Sequence, residues 1–125
     1  MLEFKSLKEM APYFNKKTNT YQIPDDIWLC FDLHVASHIQ AQRIRAHTID
    51  AWNIGAWDID VWDIKAWDIN ARNIDAIDLY ADNIDYYAYC IAYERFSCTS
   101  ATGHRANALH ACLDGEIEYR DEQEE

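Results

Sequence analysis

The chain is poor in glycine, with three, and in proline, with two. That scarcity excludes a Gly-rich phosphate loop and a collagen-like or low-complexity chain. Cationic side chains are also few. Eleven Lys and Arg stand against 22 Asp and Glu, for a net charge of −11. This balance excludes a general nucleic-acid binder, which needs cations on phosphates, and equally docking on an anionic membrane. The four cysteines, Cys30, Cys90, Cys98 and Cys112, include no CxxC pair. They are read as small buried residues rather than as a redox or zinc motif. No apolar run approaches the roughly 20 residues of a membrane span. The opening MLEFKSLKEM lacks the apolar stretch of a signal peptide. A soluble intracellular protein of one domain is the expectation. Half the residues are hydrophobic and 14% aromatic, enough for a packed core.

Catalytic chemistry finds little support. Ser97 and Ser100 lie in no nucleophile motif. His34 and His38 are four apart, a spacing that suits a metal only on a helix. His110 and Cys112, joined by Cys98 or His104, make the one zinc arrangement on offer. The reading is a protein without catalysis, cofactor or metal.

What the chain has in abundance is a five-residue repeat. Ile39, Ile44, Ile49, Ile54, Ile59, Ile64, Ile69, Ile74, Leu79 and Ile84 recur at that step, each followed two residues later by a small residue as far as Ala81. Period five fits neither a helix nor an ordinary strand. It fits a very short strand, with Ile and Ala pointing to one side, plus a corner where Asp or Asn bonds the nearby backbone. Such sides close into a stacked coil.

The segment IDAWNIGAWDIDVWDIKAWDINARNIDAIDLYADNID resembles the pentapeptide-repeat family. The resemblance implies an all-β, right-handed, four-sided β-helix of about twenty residues per coil. The usual unit of that family has its small residue two before the central Leu. Here alanine comes three before Ile, so Ile and Ala are placed inward and Trp52, Trp57, Trp62 and Trp67 outward. Within one domain, residues 1–35 form an N-terminal cap, 36–88 the repeat coil, 89–120 an irregular last coil with an edge strand, and 121–125 an acidic tail. Leu2, Phe4, Leu7 and Met10 are expected on one face of a short helix ending before Pro12, and Tyr21–Phe31 as a strand or irregular side. YYAYCIAYE breaks the ladder, and the pattern resumes two residues out of phase at Phe96 and Cys98.

At four sides per turn, residues 36–85 make about two and a half turns. Positions twenty apart then stack. Arg43 sits over Asp63, Lys65 over Asp85, Trp52 over Arg72, and Trp67 beside His47 and Tyr87. Asp58, Asp60 and Asp78 form an unneutralised strip. All of the net charge lies beyond residue 50, since residues 1–50 hold six basic and six acidic side chains.

The ending LDGEIE, joined to such repeats, resembles small proteins of Firmicutes phages and prophages. That resemblance implies a non-catalytic inhibitor that fills the basic channel of a host nucleic-acid enzyme. The leading target is a Cas9-type effector, which would make the chain an anti-CRISPR protein of the host bacterial cytoplasm. The alternatives are a gyrase-binding DNA mimic, or an interaction module that uses exposed Trp. A homodimer is left open, and direct nucleic-acid and membrane contacts are not expected. The expected partner-binding residues are Asp58, Asp60, Asp63, Asp68, Asp75, Asp78, Asp85, Trp57, Trp62, Glu116 and Glu118.

Overall fold

A computed structural model describes residues 2–120. The expected acidic tail, 121–125, lies outside them. The chain begins with β1 (Leu2–Phe4), α1 (Leu7–Met10), a 3-10 turn (Ala11–Tyr13), β2 (Phe14–Asn15), β3 (Thr20–Gln22), β4 (Ile27–Leu29), β5 (Leu33–His34) and β6 (His38–Gln40). It continues through β7 (Arg43–Asp50), β8 (Asn53–Gly55) and the long winding β9 (Asp58–Cys98). The last coil is β10 (Ser100–Gly103), β11 (Leu109–Cys112) and β12 (Ile117–Tyr119). The fold is an all-β solenoid of about 6 turns. Every strand pairing is parallel except the β2–β3 hairpin.

The coil has three sides, not four. Arg43 pairs with Asp58, Ile44 with Ile59 and Ile49 with Ile64, a step of 15 residues. Ile39 pairs with Ile54 and Ile54 with Ile69 at the same step. Three five-residue units therefore make one turn, and the expected twenty residues per coil is corrected to 15. A period of five sets the length of a side but not how many sides close. The two and a half turns inferred from four sides fall with that assumption.

Each side contributes one Ile and one small residue to the interior. The first side stacks Ile39, Ile54, Ile69 and Ile84. The second stacks Ile27, Ile44, Ile59 and Ile74. The third stacks Leu33, Ile49, Ile64 and Leu79. All twelve are buried. Burying each such side chain stabilises by about 1.5–3 kcal/mol. Ala51, Ala66 and Ala81 fill the space beside the third ladder and are buried as well. Trp57, Trp62 and Trp67 are each more than half exposed, as the repeat predicts.

The N-terminal cap differs from expectation in its helix. Leu2 and Phe4 lie on β1, paired with Ile27 and Leu29, rather than on a helix face. Only Leu7–Met10 is helical, and Met10 closes the interior while Leu7 stays exposed. Pro12 sits in the 3-10 turn that follows. Tyr21–Phe31 holds two short strands, β3 and β4, on different sides. Asn19 adopts a φ of 53°, a conformation Asn tolerates better than most residues. Its amide donates to the Ala36 carbonyl at 2.9 Å and its oxygen accepts from Ser37 at 2.8 Å, tying the hairpin to the first coil.

The last coil is irregular, as expected. Ile84 pairs with Ala101, a step of 17, so two extra residues enter the turn. Tyr86 takes the place held by Ala41, Ala56 and Ala71, and is fully buried. Its hydroxyl meets His110 Nδ1, and His110 Nε2 meets Tyr119 at 3.1 Å. Gly103 opposite makes room for that ring: a Cβ there would lie 2.8 Å from the Tyr86 hydroxyl and 2.3 Å from Ala108 Cβ. The final strand, β12, pairs with Phe96–Cys98. Arg120 anchors it by donating to the Tyr80 hydroxyl (2.9 Å), the Asp82 carboxylate (3.1 Å) and the Ala81 carbonyl, with its guanidinium 4.0 Å from the Tyr80 ring.

Two substitutions test this packing by chemical denaturation. Ile59→Ala is expected to cost about 2–5 kcal/mol, as for other large-to-small core changes. Gly103→Ala is expected to cost about 1–3 kcal/mol, because the Tyr86 ring cannot retreat. An unchanged midpoint for either contradicts the ladder arrangement.

Candidate functional site

The three-sided register redistributes the outward residues. Side chains stack 15 apart, so the residue before each Ile forms one column per side. On the first side, the Asn83 amide donates to the Asp68 carboxylate at 3.1 Å, and Ser100 donates to Asn83 at 3.0 Å. On the second, Asp58 accepts from the Asn73 amide at 2.9 Å and pairs with Arg43 at 3.3 Å. Both columns place a donor against a carboxylate.

The third column is different. Asp63 and Asp78 follow one another with no amide between them. Burial, the Asp78 carboxyl as hydrogen-bond partner and its negative charge hold the Asp63 proton above the ordinary aspartate value of 3.8. His47 opposes this shift and Asp32 adds to it. Asp78 Oδ1 is a buried acceptor without a hydrogen-bond partner.

A second carboxylate row runs parallel to this one. Asp60 and Asp75 precede the corner that Asp63 and Asp78 follow, with Trp62 and Ile77 at its apex. Asp75 is also raised, by burial first and then by Asp60. Asp60 and Asp75 have no ion-pair partner within 4 Å among the described residues. On the third side an open groove of about 750 Å³ is lined by Asp50, Asp63, Asp78, Glu94, Glu116 and Glu118, against Lys65, Arg95 and His34. Glu118 there accepts from the Ser97 hydroxyl at 2.9 Å.

The expected binding residues thus fall into groups. Asp58, Asp60 and Asp75 share the second side, while Asp63, Asp78, Glu116 and Glu118 share the third, with Trp62 on the corner between. Asp68 and Asp85 lie apart on the first side, where Asp85 approaches His104 at 3.4 Å. Trp57 occupies another corner. The strip of Asp58, Asp60 and Asp78 is split, because Asp78 belongs to the third side.

The expected stacking partners also change. Arg43 meets Asp58 instead of Asp63, and Lys65 lies 5.7 Å from the Tyr80 ring instead of over Asp85. Trp52 stacks on Trp67 at 4.9 Å and 10°, Arg72 covers Trp57 at 4.8 Å, and His47 packs on Trp62 at 4.4 Å. The indoles are therefore parts of corner columns. These columns were missed for want of the correct step. No local signal gave that step, since complementary pairs occur at 15 (Arg43 with Asp58) and at 20 (Arg43 with Asp63) alike.

The cysteines are less uniform than expected. Cys90 and Cys98 are buried, Cys112 is intermediate and Cys30 is exposed. Burial pushes the Cys98 thiol up to about 11 and the Cys90 thiol higher still, so both are poor nucleophiles. His110 is engaged on both ring nitrogens. Among the described residues, no three His, Cys, Asp or Glu side chains are grouped to hold a metal. Nor is any helix long and apolar enough to cross a membrane. No protein-family profile matches the chain, and neither a curated protein nor a solved structure matches it.

The Asp63–Asp78 contact has a measurable consequence. Asp63 keeps its proton to higher pH folded than unfolded. Its stabilising contribution is therefore present below pH 3.8 and lost as pH rises through the raised native value. Asp78→Asn restores the donor found in the other two columns. At pH 7 it is expected to stabilise the fold by about 0.2–1 kcal/mol, the range for relieving facing like charges. The gain should vanish below the ordinary aspartate value. Urea denaturation at pH 7 and pH 3 checks this, and an equal effect at both contradicts it.

Proposed function

We propose that this chain is a non-catalytic acidic inhibitor of a host bacterial nucleic-acid enzyme, acting in the host cytoplasm. The observation that carries the reading is the pair of carboxylate rows, Asp60/Asp75 and Asp63/Asp78, on either side of the Trp62 corner. Carboxylate rows on a rigid frame, in excess over nearby cations such as Arg45 in register with Asp60, attract a basic cleft, speed encounter and make binding salt-sensitive. About 6 turns at a spacing of about 4.8 Å give a rod of about 29 Å. That length matches about eight base pairs of duplex. A Cas9-type effector is the first target, because its channel and its PAM-reading arginines are cationic. A type II topoisomerase is the second. The Trp-only reading is weaker, since Trp52, Trp57, Trp62 and Trp67 each already pack on a neighbouring rung.

Binding to an immobilised Cas9–guide complex, and in parallel to a topoisomerase DNA-gate fragment, tests the reading. The expected outcome is one-to-one binding that competes with duplex DNA and weakens more than about tenfold from 0.1 to 0.5 M NaCl. Replacing Asp60, Asp63, Asp75 and Asp78 together by Asn should abolish it. Binding that ignores both salt and this replacement overturns the acidic-surface reading, and binding to neither enzyme overturns the choice of target.

A further inference from the structure

Gly55 stands outward in the middle of the first side, on β8 (Asn53–Gly55). At the end of this strand, its bare backbone still needs an account. Its backbone provides none, because no glycine has positive φ. Packing provides none either. A Cβ on Gly55 would meet only Gln40 Cγ at 3.8 Å and the Ile39 carbonyl at 3.9 Å, ordinary contact distances. The opposite holds at Gly103, where the protein itself fills the space. At Gly55 the vacant space faces outward.

That space is the floor of an open groove of about 670 Å³. Gln40, Asn53 and Asn70 line it with amides, and Trp57 forms one wall. Arg72 covers one face of the Trp57 indole, on the rung after it. The groove runs over three rungs, from Gln40 and Ala41 past Gly55 to Asp68 and Asn70. Asp68 is the one carboxylate in the lining, and Asn83 already donates to it. Two buried polar atoms among the lining residues, His38 Nδ1 and Asn53 Oδ1, have no hydrogen-bond partner.

We propose that this groove binds a neutral oligosaccharide. Amides both donate and accept, which matches hydroxyl groups and does not select an ion. An indole face offers a flat apolar surface to the C–H face of a pyranose ring. The bare backbone at Gly55 lets the sugar come close. The site lies away from the carboxylate rows of the Trp62 corner and does not depend on them.

The test is an NMR titration of the full ¹⁵N-labelled chain with cellohexaose, chitohexaose, maltohexaose and laminarihexaose in turn. At least one chain is expected to shift the Trp57 indole N–H and the side-chain amides of Gln40, Asn53 and Asn70. Trp57→Ala should weaken that binding by about tenfold or more, as for an aromatic anchor. Gly55→Leu places a side chain in the groove at a position where a Cβ meets only ordinary contact distances. It should weaken binding equally while the rest of the spectrum stays unchanged. The proposal is overturned if none of the four sugars shifts these signals, or if Gly55→Leu binds as the parent does.

Discussion

The interior of the coil accepts one branched side chain and one small one from each five-residue side, and three sides fill it. That packing rule governs the rest of the molecule. Because Ile and Ala point inward two apart, every intervening and flanking residue must point outward. Because the turn closes at 15 residues, each outward residue meets the one 15 positions away. Surface chemistry is thereby written in columns, and one substitution acts through the rungs above and below it.

Two of the three columns before the Ile ladders are balanced. Asn or Arg stands next to Asp, and the carboxylate receives a donor. The third sets Asp63 against Asp78, and the adjoining row sets Asp75 against Asp60, so Asp63 and Asp75 hold their protons more firmly than usual. The repeat supplies Asn at equivalent positions elsewhere, so the geometry does not force this concentration of charge. The first side is the counterpart, with amides, a bare glycine and an indole. One frame thus presents an anionic corner and an amide-lined groove on different parts of its surface.

Much of the fold was legible in the sequence. The Ile and Ala ladders, the outward Trp residues, the breakdown of the pattern at Tyr86 and the closing edge strand at Ile117–Tyr119 all follow from period five and the size of side chains. The number of sides did not follow, because inward ladders repeat identically whether three or four units close the turn. The outward residues do not separate the two either. A step of 15 pairs Arg43 with Asp58 but sets Asp60 against Asp75, and a step of 20 pairs Arg43 with Asp63 but sets Asp58 against Asp78. The cap was misread where apolar spacing alone placed Leu2 and Phe4 on a helix. Their pairing with Ile27 and Leu29 is a contact over 25 residues that no local pattern announces. The candidate site was legible as a list of acidic residues but not as an arrangement, since the arrangement depends on the step.

The step is therefore the quantity to measure. Nuclear Overhauser contacts between indole protons of Trp52 and side chains on neighbouring rungs decide it in one spectrum. The three-sided coil predicts contacts from Trp52 to the Trp67 ring and none to Arg72. Contacts from Trp52 to Arg72 in place of Trp67 would contradict the three-sided register and, with it, the carboxylate rows and the groove.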